Sequence, residues 1–518
     1  MSSHDSKSFK PNNDVLASLK ATGILLLLGI VLKVLGAVQQ AVLAALFGAG
    51  PELDAYFAAI AVPNLLSSFL VLGPLGLLLV PNAARRDEGD ASQMPVLMPV
   101  LIANTLVVSA VFIVLGIIGA PWIMAMLAPG FNTATLDLAA NIFRMGTFAV
   151  GLAALNALLR GVFHGAREFS IPTGAYILSS TVLIGALLLL SHLAGIYAAG
   201  IGLVLGALSA FLSQWVLARA RGMPLTVGAP EWSERVRKAM LPMMGIGLAL
   251  AAVQATGLWA RVYASGLGPG AISLLDYGLG FDKIVGGLTA MSAATAVYPS
   301  MVAGAAKAGS GAAESIRYAL RGVLMTSVPL TVFLVVLREP IVLLWLQRGR
   351  FAPGDAAVVG DLLLLLSPAL IAWALAYPML YSFHAMSKSA GPAVLTLVGL
   401  VGGALITYPC KEWWGLRGIS IGVSLSACVT VIGLLWLLGT ETPGLWRRSF
   451  FALVAKVVLA ASLGAGAAAF SVLPEQALLD LALRSTLGGC FFVAVLWLSG
   501  VEEARAVVSW LAHARPSR

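Results

Sequence analysis

The sequence predicts an all-α protein that crosses a membrane many times. Of its 518 residues, 59% are hydrophobic and only 11% are charged, whereas soluble proteins carry about 25% charged residues. A membrane-spanning helix needs about 20 apolar residues, so the chain has room for roughly a dozen or more such helices. The 55 glycines are typical of membrane helices, in which small residues let backbones approach closely.

The apolar stretches indicate about fourteen predicted spans, arranged as two six-span lobes followed by an extra pair. The predicted organisation has six parts: a cytoplasmic N-terminal segment (1–20), an N-lobe with spans 1–6 (21–220), a cytoplasmic linker (221–238), a C-lobe with spans 7–12 (239–440), extra spans 13 and 14 (441–500) and a cytoplasmic tail (501–518).

The two lobes are predicted to be a parallel repeat. Gln39 and Gln254 occupy equivalent positions in the two halves, and the stretch from His164 to Pro172 is echoed by the stretch from His384 to Pro392. Because each lobe has an even number of spans, both lobes enter the membrane from the same side. Transporters built in this way place their substrate between the repeats, and we expect the same here.

The distribution of basic residues predicts the orientation. Arginine and lysine concentrate in the loops that follow even-numbered spans, such as Arg85-Arg86 and the cluster from Arg219 to Lys238. Such loops stay on the cytoplasmic side, so both termini are predicted to be cytoplasmic. The net charge of +9 therefore reflects membrane topology, and nucleic acid is not an expected partner. Arg348 and Arg350 fall on the opposite side and break this pattern.

No motif indicates an enzyme. The chain has no Walker loop and no nucleophile–base arrangement at a recognisable spacing. Its cysteines are isolated, and His164 and His384 occur singly, which does not match the spacing of metal ligands. The sequence therefore predicts no catalytic residue, no metal and no cofactor.

Polar and helix-breaking residues interrupt the first two predicted spans. Gln39 and Gln40 lie inside the first apolar run, and Pro63-Asn64 interrupts the second. Residues of this kind are tolerated at membrane depth mainly where they face protein or a water-filled cavity. They indicate a function beyond anchoring.

The motifs of these spans resemble the MurJ/MviN family of the multidrug/oligosaccharidyl-lipid/polysaccharide exporter superfamily. The matching stretches are Val34-Leu-Gly36, Leu46-Phe-Gly-Ala-Gly50, Asp54-Ala-Tyr56-Phe57 and Pro63-Asn64-Leu-Leu66. The resemblance implies a flippase that moves an undecaprenyl-diphosphate-linked saccharide across the bacterial inner membrane by alternating access. It also implies that this lipid-linked saccharide, membrane lipids, and a glycan polymerase or glycosyltransferases are the partners.

The chain departs from the family's lipid II flippases at charged positions. Those flippases carry Arg-Asp where this sequence has Gln39-Gln40, Arg where it has Ser67, and Asp-Arg near Leu279-Gly280. These departures favour an exopolysaccharide or other cell-envelope glycan intermediate slightly over lipid II, which is the first alternative. A cation-coupled multidrug antiporter is the second alternative, and a non-transporting scaffold of a glycan assembly complex is the third.

Cations that line a cavity would offset the cost of moving a diphosphate through the membrane, and neutral amides could bind sugar hydroxyls or bridge helices. The candidate substrate-binding residues are Lys33, Gln39, Gln40, Asn64, Arg144, Gln254, Arg261, Asp282 and Lys283. Several alternatives stay open. Lys33 could form a structural pair, Arg261 could extend to the membrane surface, and Asp282-Lys283 could be either a relocated basic site or a self-neutralised pair.

Overall fold

The structure, a computed structural model, describes residues 13–72, 94–166, 168–223, 225–287, 310–386, 388–446, 448–470, 477–501 and 505. Its helices are α1 Asn13–Phe47, α2 Pro51–Leu72, α3 Met94–Leu127, α4 Thr133–Gly165, α5 Ser170–Ala194, α6 Tyr197–Ala220, α7 Glu234–Ser265, α8 Ala271–Leu279, α9 Asp282–Val285, α10 Ser310–Val336, α11 Arg338–Leu346, α12 Pro353–Ala385, α13 Ala390–Glu441, α14 Arg448–Phe470 and α15 Ala477–Leu498. Ten helices in these ranges are long and apolar enough to cross a membrane, which confirms the predicted polytopic all-α class.

The helices follow the predicted spans with two differences. The first is α13, which contains predicted spans 11 and 12 and bends at Gly415, whose φ of 55° and ψ of −129° are not helical. The second is predicted span 8, where a single tighter turn at Gly280 and Phe281, both with helical φ and ψ, separates α8 from α9. We call this interruption the break. The first twelve residues and most of the predicted tail lie outside the described residues, as does the pair Arg85-Arg86.

The helices form two groups, as the repeat predicts. In the first group α4 packs against α2, α3 and α6, and α5 packs against α1 and α6. In the second group α13 packs against α7 and α12, and α10 packs against α12 and α14. The groups meet where α2 contacts α7 and α8, where α3 contacts α7, and where α1 contacts α11. We call them the N-lobe and the C-lobe.

Small residues allow close packing inside the N-lobe. A Cβ atom added at Gly206 of α6 would lie 2.7 Å from the carbonyl oxygen of Ser179 on α5, and one at Gly202 would lie 3.1 Å from that of Leu183. Real Cβ atoms rarely come so close, so these positions require glycine. The high glycine content therefore sets the distance between neighbouring helices.

One end of the bundle joins the lobes through the carboxylate of Asp54, at the start of α2. This side chain accepts hydrogen bonds from the backbone N–H of Gly270, at 2.6 Å, and from that of Ser273, at 2.7 Å. The Ser273 hydroxyl donates to the same carboxylate. Asp54 therefore caps the N-terminus of α8 from the opposite lobe, where free N–H groups and the helix dipole favour negative charge.

Two further hydrogen bonds connect the lobes at this end, which we call the closed end. The backbone N–H of Arg350 donates to the carbonyl oxygen of Ala45, at 2.9 Å. The backbone N–H of Gly130 donates to the Ser265 hydroxyl, at 3.2 Å. The loops after α1, α3, α7 and α11 thus come together over the space between the lobes.

Candidate functional site

The candidate site lies beside the break in predicted span 8. After α8, the backbone N–H of Gly280 donates to the carbonyl oxygen of Asp276 at 2.8 Å, whereas that of Lys283 donates to Gly280 at 3.2 Å. The bonds therefore change from the α-helical pattern to a tighter turn. Asp282 and Lys283 follow at once, so the irregular backbone places two charged side chains between the lobes. Broken helices form the substrate sites of many transporters.

A cavity of about 240 Å³ lies next to this break, between the N-lobe and the C-lobe. Its walls come from α1, α2, α6, α7, α8, α9 and α12. The predicted site residues that line it are Gln39, Gln40, Asn64, Gln254, Arg261, Asp282 and Lys283. Residues that are far apart in the sequence therefore line the same polar cavity.

Lys33 lies at the edge of this space and bridges the lobes. Its Nζ donates a hydrogen bond to the carbonyl oxygen of Lys283, at 3.0 Å. The ammonium group also lies against Gly287, where a Cβ atom would overlap with it. The partner of Lys33 is thus a backbone carbonyl of α9, and among the described residues no carboxylate forms a salt bridge with its ammonium group.

Arg261 is held by a carboxylate. Its Nε donates to Oδ2 of Asp276 at 2.8 Å, its Nη2 donates to Oδ1, and its Nη1 donates to the carbonyl oxygen of Gly257 at 2.6 Å. The side chains of Arg261 and Asp276 are 19% and 9% exposed. A bidentate pair of this kind is geometrically specific. The carboxylate of Asp276 accepts hydrogen bonds from the guanidinium N–H groups of Arg261 and neutralises most of the positive charge.

Asp282 and Lys283 differ from that pair. Within the part of the chain that the structure describes, Oδ1 of Asp282 is shielded from solvent and has no hydrogen-bond partner. The side chain of Lys283 is exposed to the cavity, and its backbone oxygen, not its ammonium group, binds Lys33. The two neighbouring charges thus lie at the cavity wall and remain available to a ligand.

The remainder of the wall is neutral and partly aromatic. Gln39 and Gln40 come from α1, Gln254 comes from α7, and Trp373 and Tyr377 come from α12. Amide side chains offer both donors and acceptors, which suits sugar hydroxyls and peptide groups. The cavity therefore combines a charged region at the helix break with a neutral hydrogen-bonding region. In the described ranges, no group of His, Cys, Asp and Glu side chains could hold a metal ion.

Arg144 lies elsewhere, between α3 and α4. Its Nη1 donates to Oδ1 of Asn141 at 2.6 Å, and its Nε donates to the carbonyl oxygen of Ile117 at 3.3 Å. Asn141 is in turn bonded to the hydroxyl of Tyr197 at 3.3 Å. Arg144 does not line the cavity, and its contacts connect helices of the N-lobe.

Asp276, Trp373 and Tyr377 line the cavity but were not among the residues that the sequence suggested for the site. The position of Asp276 opposite Arg261 could have been inferred from the sequence. Arg261 and Asp276 lie about equally far along the chain from the glycine-containing turn at 266–270, so two antiparallel helices joined by that turn bring them opposite each other. For the two aromatic residues we find no comparable signal, because their position depends on how α12 packs against the other helices.

Comparisons with known proteins give a consistent result. A family model described as lipid II flippase MurJ matches residues 43–483. The lipid II flippase MurJ of Burkholderia cenocepacia is 25% identical over 91% of this chain and 95% of its own length. The probable lipid II flippase MurJ of Vibrio cholerae is 23% identical over 93% of this chain and 96% of its own.

Solved structures show the same fold. A lipid II flippase MurJ in an inward closed conformation matches with a TM-score of 0.73 and 18% identity, covering 91% of this chain and 98% of that structure. An inward-facing multidrug resistance transporter of the MATE family and the MOP superfamily matches with a TM-score of 0.65 and 16% identity. It covers 82% of this chain and 99% of that structure. At these identities the structures support the architecture alone.

Proposed function

The chain belongs to the MurJ family, whose model is described as lipid II flippase, and from this premise we propose that it flips lipid II across the bacterial inner membrane. The bacterial relatives named above are called lipid II flippases or probable lipid II flippases, whereas the expected exopolysaccharide substrate finds no support among them. Membership of a transporter family also agrees with the lack of enzymatic motifs. The observation that carries the proposal is the charged cavity between the two lobes.

In this proposal the diphosphate binds at the break between α8 and α9. Lys33 and Lys283 meet there from opposite lobes, and neither is tied to a carboxylate in the way that Arg261 is tied to Asp276. Lysine binds phosphate as a point charge. Because an isolated charge at membrane depth costs several kcal/mol, two cations at this position would offset much of the barrier to the headgroup.

The neutral side of the cavity would bind the rest of the headgroup. Gln39, Gln40, Asn64 and Gln254 line this side, and each can donate to and accept from hydroxyl or amide groups. The lipid tail would remain in the bilayer while the polar headgroup passes between the lobes. The proposed site therefore retains all the predicted residues except Arg144, which lies between α3 and α4.

The lobes would then work by alternating access. A cavity of about 240 Å³ is smaller than the roughly 300–1,000 Å³ of typical ligand pockets, so the lobes must separate to admit a saccharide. The positive-inside rule would place the closed end on the outer side of the membrane, with both termini cytoplasmic. On this view the structure is a state in which the outer exit is shut.

A different lipid-linked glycan is the second candidate substrate. It is favoured by one observation: Gln39 and Gln40 line the cavity at positions where the resemblance leads one to expect Arg-Asp. A multidrug antiporter is less favoured, because the MATE structure shares only the fold, at 16% identity. Both alternatives are separable by experiment.

Complementation of a strain depleted of its lipid II flippase tests the proposal. We expect the wild-type chain to restore growth and lipid II export, and we expect Lys33→Ala and Lys283→Ala to reduce export at least about tenfold each, which corresponds to about 1.4 kcal/mol. Lys456→Ala serves as a matched control, because Lys456 lies on α14 outside the cavity, where its Nζ donates to the carbonyl oxygen of Ser499 at 2.6 Å.

The outcomes distinguish the alternatives. Failure of the well-expressed wild-type chain to export lipid II would contradict the proposed substrate, and rescue of an exopolysaccharide flippase mutant instead would support the second candidate. A drug-resistance profile without glycan export would favour an antiporter. Full export by both lysine variants would remove Lys33 and Lys283 from the diphosphate site.

A further inference from the structure

The cavity holds two carboxylates whose surroundings differ. Asp276 accepts two hydrogen bonds from the guanidinium of Arg261, so its charge is matched. Oδ1 of Asp282 is shielded from solvent and, among the described residues, has no hydrogen-bond partner. A buried acceptor without a partner is costly, and more so when it is charged. Asp282 is thus the carboxylate of the cavity whose ionised form is not stabilised by a hydrogen-bonded cation, in contrast to Asp276.

The charges around the cavity do not balance a diphosphate. Among the described residues, the cations are Lys33, Arg261 and Lys283 and the anions are Asp276 and Asp282, which leaves one net positive charge. A diphosphate diester carries about two negative charges, one on each phosphate. The cavity is therefore one positive charge short of its proposed ligand.

Hydrogen bonding leads to the same result. An ionised carboxylate only accepts hydrogen bonds, and so does an ionised phosphate, whereas a protonated carboxyl group has one O–H donor. A phosphate bound by Lys33 and Lys283 would lie near Asp282, because the Asp282 carboxylate lines the same cavity and is close enough to both ammonium groups to interact with them electrostatically. If Asp282 stayed ionised, two sets of acceptors would face each other and repel. One proton between them turns this repulsion into a hydrogen bond.

We propose that Asp282 takes up one proton when the diphosphate headgroup binds, and that its carboxyl O–H then donates to a phosphate oxygen. This inference rests on the proposed function, since it takes a diphosphate as the ligand. The proton comes from water in the cavity, a single O–H bond forms on Asp282, and no other covalent bond changes. The loaded cavity then has two net positive charges, which match the headgroup.

The groups that face Asp282 fit this role. Lys33 from α1 and Lys283 from α9 act on it electrostatically, Tyr377 faces it from α12, and the pair of Arg261 and Asp276 lies on the same cavity wall. Within the described residues α9 also packs against α10, none of whose residues is among the groups that act on Asp282 electrostatically. The two ammonium groups lie near the Asp282 carboxylate, and an arriving diphosphate competes for them.

Calorimetric titration of the full-length protein in detergent tests the inference. A short-chain lipid II analogue is titrated in buffers of different ionisation enthalpy, which reports the number of protons taken up per ligand bound. We expect uptake approaching one proton for the wild type between neutral and mildly alkaline pH. Because protonation favours the bound state, affinity should rise as pH falls, by at most about tenfold per pH unit.

Three variants make the assignment specific. Asp282→Asn has the shape of the protonated side chain, so it should bind the analogue without proton uptake and with an affinity independent of pH. Asp282→Glu should restore the uptake. Asp361→Asn is the matched control, because Asp361 is an exposed carboxylate paired with Arg417 outside the cavity, and this variant should keep the wild-type uptake.

Two results would overturn the inference: absence of proton uptake by the wild type across this pH range, or wild-type uptake by Asp282→Asn. A second probe, a short-chain prenyl diphosphate linked to one N-acetylglucosamine, separates this failure from failure of the proposed substrate. If that probe binds with proton uptake at Asp282 while the lipid II analogue does not bind, the inference holds and lipid II is the wrong substrate.

Discussion

At the scale of the residue, the contacts of each cation near the cavity decide whether its charge is available to an anionic ligand. Lys33 donates to a backbone carbonyl, Arg261 is paired with Asp276, and Lys283 is exposed to the cavity. Arg144 makes its contacts between α3 and α4. These four positive charges therefore have four different surroundings, and in our proposal two of them, Lys33 and Lys283, remain available to an anionic headgroup.

The pair of Arg261 and Asp276 leads to a stability prediction. Asp276→Asn leaves the guanidinium without its carboxylate in a largely buried position, and removal of one partner from such a pair costs about 3 kcal/mol. We expect a lower melting temperature for the detergent-solubilised protein. Because the positive charge of Arg261 is then no longer neutralised, this variant should also bind a prenyl diphosphate more tightly.

The control for this prediction is Asp361→Asn, which removes the carboxylate from the exposed pair with Arg417. The side chains of that pair are 66% and 42% exposed for Arg417 and Asp361, and exposed pairs contribute about 0–1 kcal/mol. An equal loss of melting temperature in both variants would show that the cavity pair contributes no more than a surface contact.

At the scale of the element, α8 and α9 each contact the opposite lobe. The carbonyl oxygen of Lys283 in α9 accepts a hydrogen bond from Lys33, and the N-terminus of α8 points at the opposite lobe. Asp54 of α2 caps that N-terminus with three hydrogen bonds. The end of one helix thus acts as a contact between lobes, which a continuous helix capped within its own lobe would not provide.

This contact predicts the effect of Asp54→Ala. Loss of a charged acceptor leaves the N–H groups of α8 without a partner and costs the closed state roughly 1–3 kcal/mol, so the population should shift toward opening at this end. The measurement is labelling of Leu43→Cys, a buried cavity residue, by a membrane-impermeant thiol reagent. The three native cysteines, Cys410, Cys428 and Cys490, are replaced beforehand.

Glu52→Ala is the control for the labelling experiment. Glu52 lies in the same first turn of α2 as Asp54 but is exposed to solvent. We expect its removal to leave the labelling rate unchanged. If Asp54→Ala labels no faster than this control, the carboxylate does not hold the closed end together.

At the scale of the whole molecule, the two lobes border a polar cavity and are joined by hydrogen bonds at the closed end. The contacts at the closed end join loops of the N-lobe to loops of the C-lobe through backbone and short side-chain groups. Interfaces of this kind can separate without disturbing the packing inside either lobe. Transport by rocking of the lobes requires that these contacts break in each cycle.

A crosslink across the closed end tests this requirement. A Cβ atom at Gly270 would lie 3.7 Å from that of Ala49, which is within the roughly 3.5–4.5 Å of a disulfide. We expect the double variant Ala49→Cys/Gly270→Cys to lose nearly all export under oxidising conditions and to regain it on reduction.

The single variants are the controls, because Gly270 has a φ of 88° and a side chain there is strained even without a crosslink. They should be insensitive to the oxidant. Continued export by the fully crosslinked double variant would mean that the closed end does not open during transport.

Much of the fold was predictable because the properties that decide it are local along the chain. Length and apolar content decide whether a segment can span the bilayer, and the echo between Gln39 and Gln254 revealed the repeat. The family resemblance, confirmed by the match over residues 43–483, rests on contiguous motifs. The break after Leu279 was not predicted, because Gly280 is compatible with both a continuous and a broken helix.

The sequence by itself determined the class of the protein and the kinds of polar residue available in its apolar segments, since hydrophobicity and residue identity do not depend on partners. Only the tertiary structure decided which of those residues meet. It paired Arg261 with Asp276, gave Lys33 the carbonyl of Lys283, and left Asp282 Oδ1 without a partner among the described residues. The physical reason is that the charge of a site is a property of contacts between helices, and packing sets those contacts.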